Sequence, residues 1–331
     1  MTRVAVVGAG AWGTALADVL ARNGHDTTLW AIEPDVAERI RSHHENARFL
    51  PGVTLHPSLG ATTNLDEALA EATLVCVAVP SQHVRAVLRR AAGALANAAT
   101  LCVASKGIEV GTLSLMNDVA ESTAPHHQVV ALSGPSFAAE VAARQPTAIV
   151  AASTDVTAAE RVQEAFSNHH LRVYTHDDVI GVELGGALKN VLAIGAGIAE
   201  GLKFGHNTRA ALITRGLAEM SRIGLKMGAN PLTFAGLGGL GDLILTCTGD
   251  LSRNRKVGLM LGEGKSLQEV LGSMDQVAEG VKTARSVEDL SRKVGIEMPL
   301  CHEVYCILYE NKDARKAVMD LMGRDLKDEL A

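Results

Sequence analysis

The feature that most constrains this chain lies at its N-terminus. A β-branched run, Val4–Val7, enters Gly8-Ala9-Gly10-Ala11-Trp12-Gly13 and continues into Thr14–Asn23, which has helical spacing. Strand, GxGxxG turn and helix in direct succession predict a dinucleotide loop. The first glycine allows the tight turn, the second lets a pyrophosphate reach the backbone, and the third lets helix and strand pack closely. The helix then presents its free N–H groups to the anion. A secretory leader is the competing reading, since Arg3 precedes apolar residues and Ala15-Leu16-Ala17 resembles a cleavage site. A single cation and three interrupting glycines make a poor leader.

The rest of the first half repeats this grammar. Thr27–Trp30, Leu74–Val79, Thr100–Ala104, Val129–Leu132 and Thr147–Ala151 read as strands, and Leu171–Tyr174 as a last one. Pro34–His43, Leu65–Ala70, Gln82–Gly93 and Leu113–Ser122 read as helices between them. Such alternation predicts an α/β Rossmann-like, doubly wound, mainly parallel sheet. From about Asp177 strands give way to long helical patterns. We therefore expect a dinucleotide-binding domain over 1–177 and an all-α C-terminal domain over 178–331, with a cleft between them.

Bulk composition narrows the function. With 31 Lys+Arg against 37 Asp+Glu the net charge is −6, and aromatics are only 3% of residues, so a protein-wide nucleic-acid footprint is not expected. The 47% of hydrophobic residues suffices for a large core. Five cysteines without CxxC spacing suit buried thiols in a reducing cytoplasm. No run of 18 apolar residues exists, so no membrane insertion is expected. His43-His44-Glu45 and His169-His170 are adjacent pairs whose side chains diverge on regular elements, so no metal site is expected.

Three polar anomalies remain. Between residues 180 and 199 only Glu183 and Lys189 are charged. Burying a lysine is costly without a partner, and Gly185, Gly186 and Ala193 at helical spacing predict an open face beside its ammonium. A Lys189–Glu183 pair is the bland alternative, but six residues is off the favoured spacing. Ser133-Gly134-Pro135-Ser136 follows a strand and is expected to open a helix able to hold an anion. In Ser252-Arg253-Asn254-Arg255-Lys256, Ser252 should cap a helix running to Leu261, and Arg253 offers a fork of donors suited to phosphate; Arg255 and Lys256 read as a solvated face. The glycine-rich stretch Gly236–Asp242 should put Asp242 on a tight loop.

These motifs, with His44-Glu45-Asn46, Phe49-Leu50-Pro51-Gly52, Ser105-Lys106-Gly107 and Gly185-Gly186-Ala187-Leu188-Lys189-Asn190, run in order through almost the whole chain. Together they resemble the bacterial-type NAD(P)-dependent glycerol-3-phosphate dehydrogenases. That resemblance implies interconversion of dihydroxyacetone phosphate and sn-glycerol 3-phosphate for glycerophospholipid synthesis, with NAD(H) or NADP(H) and no metal. The sequence is silent on oligomeric state, for which a homodimer is only the default. It makes Lys189 the catalytic proton donor and acceptor. Lys106, Gly134, Ser136, Asn190, Asp242, Ser252, Arg253 and Asn254 would contact substrate alongside it. Gly8, Gly10, Ala11, Trp12, Gly13, Ile32, Glu33, Phe49, Ala138, Val277 and Glu279 would contact cofactor, as would Lys106 and Arg253. Ala11 departs from a frequent serine.

Ile32 and Glu33 replace a commonly basic pair at the end of the second strand. An acid there accepts from the adenine ribose 2′-hydroxyl of NAD, whereas arginine accommodates the 2′-phosphate of NADP. NADH preference is therefore expected, unless Glu33 only starts the helix at Pro34. Two other readings stay open: a related reductase of a 3-hydroxy acid or of ketopantoate, and a nicotinamide-sensing regulator without turnover. A buried lysine speaks against the sensor, which needs no proton donor.

Overall fold

The computed structural model describes residues 2–274, 278–326 and 328–329. Eight strands form one sheet: β1 (Arg3–Val7), β2 (Asp26–Trp30), β3 (Gly60–Thr62), β4 (Leu74–Val77), β5 (Thr100–Val103), β6 (Val129–Ser133), β7 (Thr147–Ala152) and β8 (Leu171–His176). Their order is β3-β2-β1-β4-β5-β6-β7-β8, parallel throughout except that β6 and β7 pair antiparallel. Helices α1 (Ala11–Arg22), α2 (Pro34–His43), α3 (Leu65–Leu69), α4 (Val84–Ala91), α5 (Met116–Thr123), α6 (Ala138–Ala142) and α7 (Val156–Phe166) cover its two faces. Val4 and Val6 point into one face and Ala5 and Val7 into the other, all buried. This is why β1 reads as a continuous apolar run. The reversal of strand order between β1 and β4 opens the crevice where ligands of such sheets bind.

The strand and helix pattern read from the sequence matches this architecture, with three differences. β3 was not anticipated: three residues, Gly60-Ala61-Thr62, are too few to show alternation. α7 was also missed; its Ala-rich run is capped by Asp155, whose side chain accepts from the Ala158 N–H. The expected helix Gln82–Gly93 is split into a single 3₁₀ turn, Ser81–His83, and α4.

Beyond β8 the chain is helical: α8 (Val179–Gly201), α9 (His206–Lys226), α10 (Asp242–Thr248), α11 (Arg253–Gly262), α12 (Leu267–Gly272), α13 (Glu279–Val294), α14 (Pro299–Tyr309) and α15 (Ala314–Met322). Asp178 starts α8 by accepting from the Gly181 N–H at 2.9 Å, and its other oxygen takes the Thr233 hydroxyl at 2.6 Å. By length and composition α8 is apolar enough to cross a membrane, although Glu183 and Lys189 interrupt it, and 83% of its apolar window is buried inside this fold. The helices pack around it, and the glycines explain how. A Cβ on Gly197 would lie 2.0 Å from the Arg255 carbonyl oxygen, and one on Gly258 would lie 1.9 Å from that of Ile194. Backbone therefore meets backbone where α8 and α11 cross, and this contact sets the α11 N-terminus beside Asn190. All five cysteines are free and buried.

Candidate active site

The glycine loop is built as its spacing requires. Gly8 adopts φ +116°, a region costly for other residues, and a Cβ on Gly13 would sit 1.9 Å from the Gly8 carbonyl oxygen. At Gly10 a Cβ would meet nothing within 4 Å, so there the backbone borders open space. Gly10 caps α1 without a side-chain hydrogen bond, leaving the N–H groups around Ala11 and Trp12 directed at that space. Asn46 fastens the loop from the side: its Nδ2 donates to the Ala9 carbonyl and to Thr14 Oγ1, both at 2.8 Å, while its Oδ1 accepts from the Phe49 N–H. Arg48 stands over the Phe49 ring at 5.1 Å. Ile32 is 69% exposed at the end of β2, and Glu33 precedes α2 without a capping bond. The nearby cations are engaged, Arg39 with Glu45 at 2.9 Å and Arg41 with Glu38 and the Ala61 carbonyl. These residues fit a dinucleotide.

Across the crevice two lysines share one carboxylate. Lys189 Nζ donates to Asp242 Oδ1 at 2.6 Å and to Thr246 Oγ1 at 3.0 Å. Lys106 Nζ donates to Asp242 Oδ2 at 2.7 Å and to the Gly134 carbonyl at 3.0 Å. An ammonium has three protons, so each lysine keeps one for a ligand. Burial pushes Lys189 down to about 8, against the pull of Asp242. Burial alone would raise Asp242, yet the two ammonium groups hold it below its ordinary value. A lysine near neutrality can give and take a proton at working pH. Glu183 does not pair with Lys189: it accepts from the Asn117 N–H at 2.9 Å, and burial pushes it up to about 8.

Several expectations need correction here. The face beside Lys189 is filled by protein, not open: a Cβ on Gly185 would lie 2.2 Å from the Gly238 carbonyl oxygen, and one on Gly186 would lie 2.8 Å from Ser133 Oγ and 3.4 Å from Lys106 Cδ. Those glycines admit the lysine stem and the glycine-rich coil. That coil is a wide turn in which the Gly241 N–H bonds the Gly236 carbonyl at 3.1 Å. It delivers Asp242 as the first residue of α10, so Asp242 is helical and not on a loop. Ser133–Ser136 does not open a helix: α6 starts only at Ala138 and has five residues. Gly134 contributes a carbonyl, which also accepts from Ser136 Oγ at 3.0 Å. Arg255 is no solvated residue, because burial pairs it with Glu200 at 2.7 Å and Asp250 at 3.0 Å.

Ser252 caps α11, its Oγ accepting from the Arg255 N–H at 3.2 Å. Arg253 follows as the first helical residue, with Glu279 as its nearby charge; burial lowers it and Glu279 opposes this. Glu279, half-buried, reaches across the crevice and accepts from the Ser81 N–H at 2.8 Å. Val277 lies outside the described residues. Sequence reasoning missed Thr246 and the supporting role of Asn46. For Thr246 the signal was its i,i+4 spacing from Asp242. Among the described residues no three His, Cys, Asp or Glu side chains gather as for a metal ion.

Two family models match, the N-terminal part of NAD-dependent glycerol-3-phosphate dehydrogenase over residues 3–159 and its C-terminal part over 178–319. Glycerol-3-phosphate dehydrogenase [NAD(P)+] of Trichlorobacter lovleyi is 57% identical over 332 residues, covering 99% of this chain and 100% of its own. That of Citrifermentans bemidjiense is 54% identical, covering 99% and 98%. The crystal structure of glycerol-3-phosphate dehydrogenase from Coxiella burnetii superposes with a TM-score of 0.94 at 41% identity, covering 97% of this chain and 98% of that one. This chain belongs to the NAD-dependent glycerol-3-phosphate dehydrogenase family.

Proposed function

We propose that the chain interconverts dihydroxyacetone phosphate and sn-glycerol 3-phosphate with NAD(H) or NADP(H), in the cytoplasm, for glycerophospholipid synthesis. The assembly is read as a homodimer and the domain boundary as 177/178. The observation that carries the reading is the Lys106–Asp242–Lys189 bridge, with Lys106 just past the end of β5 on the same edge of the sheet as the glycine loop after β1.

A nicotinamide cofactor held at the glycine loop and the α1 N-terminus would supply the hydride for C2 of the ketone, or take it back. As negative charge grows on the C2 oxygen, the spare protons of Lys189 and Lys106 face it, and Lys189 delivers one to complete the alcohol. Asp242 fixes both ammonium groups, so little reorganisation accompanies the transfer. Arg253, whose planar fork suits phosphate, holds the far end of the substrate together with Ser252 and Asn254. Binding at that remote group orients the carbonyl for transfer. Gly134 and Ser136 form the floor beneath Lys106. Gly8, Gly10, Gly13 and the α1 N-terminus take the pyrophosphate, with Trp12, Phe49 and Ala138 along the dinucleotide.

Lys189→Met tests the assignment, since methionine keeps the apolar stem and removes charge and proton. Turnover should fall by a factor on the order of 10² or more while cofactor binding and the melt stay near the parent. Turnover within threefold of the parent would remove Lys189 from the reaction.

A further inference from the structure

Phe137, half-buried, is the N-cap residue of α6 in the sheet domain, yet its ring lies against the helical domain. A Cβ on Gly249 would lie 2.5 Å from Phe137 Cε2 and 2.7 Å from its Cζ, so the ring edge is seated on bare backbone there. Gly249 ends α10 and begins the turn into α11. Its carbonyl accepts from the Ser252 N–H at 3.1 Å and from Arg255 Nη1 at 3.4 Å. Ser252 in turn caps α11, whose first residue is Arg253. The ring therefore rests on the turn that leads into Arg253.

The same short segment reaches the other end of α10. A Cβ on Gly241, the residue before Asp242, would lie 3.6 Å from Pro135 Cγ, an ordinary contact. The Gly134 carbonyl, next to Pro135, accepts from Lys106 Nζ at 3.0 Å. Residues 134–137 thus touch both ends of a helix of seven residues, about 10 Å long, that carries the shared carboxylate at its start and the Arg253 turn after its end.

We propose that Phe137 is a positioning residue that fixes the reach between the Arg253 fork and the two ammonium groups. It acts through Gly249 and the turn that follows. This rests on the phosphate-ester reading above. A triose phosphate has few rotatable bonds, so it cannot follow a fork that moves away from the lysines. A misplacement of about 1 Å can cost on the order of 10²-fold in rate. Apolar burial alone would be served by many large side chains, whereas a fixed reach requires the ring and the bare Gly249 backbone to match in size.

A size exchange separates seating from bulk stability. Phe137→Ala leaves a gap beside the turn, and its kcat/KM for dihydroxyacetone phosphate should fall about 10- to 100-fold. Unphosphorylated dihydroxyacetone, which has no group for Arg253, should lose less than about threefold, with cofactor affinity by fluorescence within about twofold. Gly249→Ala drives a methyl into the ring and should lose as much as Phe137→Ala. Adding Phe137→Leu to Gly249→Ala makes room for that methyl and should restore kcat/KM to within about fivefold of the parent. Calorimetry with inorganic phosphate reads the same order without turnover: its Kd should rise in each single variant and recover in the pair. Losses that multiply in the pair would overturn the seating, as would an unchanged Phe137→Ala or equal losses for both ketones. A parent that neither binds phosphate nor turns over the ketone would remove the phosphate-ester reading, and this inference with it. A parent that does both while the variants match it overturns this inference alone. Melts identify any variant that fails to fold; if Gly249→Ala does, Phe137→Ala against the two ketones decides.

Discussion

Asp242→Asn isolates what the shared carboxylate does. The substitution keeps shape and removes the charge that sits between two ammonium groups 2.6 and 2.7 Å from its oxygens. At an effective dielectric of about 20, attraction at the Lys189 distance is roughly 6 kcal/mol. If relaxation and water entry recover about half, Lys189 loses some 3 kcal/mol of support for its charged form, or about 2–2.5 pKa units. Its pKa should fall from about 8 to about 5.5. In the proposed mechanism reduction of the ketone needs the protonated lysine, so its rate is full below that pKa and lost as pH rises through it. At pH 7.5 the protonated fraction would drop from about three quarters to about one hundredth, cutting kcat/KM for reduction by nearly two orders of magnitude. Following loss of the reduced nicotinamide absorbance from pH 5 to 9 reads both the drop and its recovery. In the parent the reductive limb should decline near pH 8; in the variant the decline should move to about 5.5, with much of the rate regained in acid. A variant slowed equally at every pH, with its inflection still near 8, would refute the claim that Asp242 sets the lysine's proton affinity.

Arg253→Ala should weaken dihydroxyacetone phosphate by roughly 2–3 kcal/mol and the unphosphorylated ketone much less; comparing kcat/KM for the two substrates decides it, equal losses assigning Arg253 to the cofactor or the fold. NADH should be preferred over NADPH by about 5- to 30-fold in kcat/KM, because Glu33 repels a 2′-phosphate while Arg39 and Arg41 are tied to Glu45 and Glu38; a clear NADPH preference measured at saturating ketone would contradict this and point to a cation such as Arg48. Glu183, raised by burial to about 8, favours its protonated form in the fold, so its stabilisation is full below its ordinary pKa and is lost as pH rises through about 8. Glu183→Gln keeps an acceptor for the Asn117 N–H, and its melting temperature should fall less than the parent's between pH 5 and 8.5; equal slopes would exclude Glu183 as the titrating group.

How much of this was legible in the chain differs by element. The glycine loop was readable because three backbone constraints fall within six residues, and the structure shows each of them. Lys189 was readable because it and Glu183 are the two charges in the twenty mostly apolar positions 180–199. Its partner was not: Asp242 lies 53 residues away, behind a glycine-rich coil whose wide turn has no sequence period. The same ambiguity misled the reading of Gly185 and Gly186, since a glycine that admits a ligand and one that admits another backbone look alike. Arg255 looked solvated because charge runs usually are, and only the fold brings Glu200 to it.

The most direct test of the account is turnover itself. Purified protein mixed with dihydroxyacetone phosphate and reduced nicotinamide should consume the cofactor and form sn-glycerol 3-phosphate of a single handedness in equal amount. Cofactor that stays reduced with both NADH and NADPH, under conditions where either is shown to bind, would contradict it.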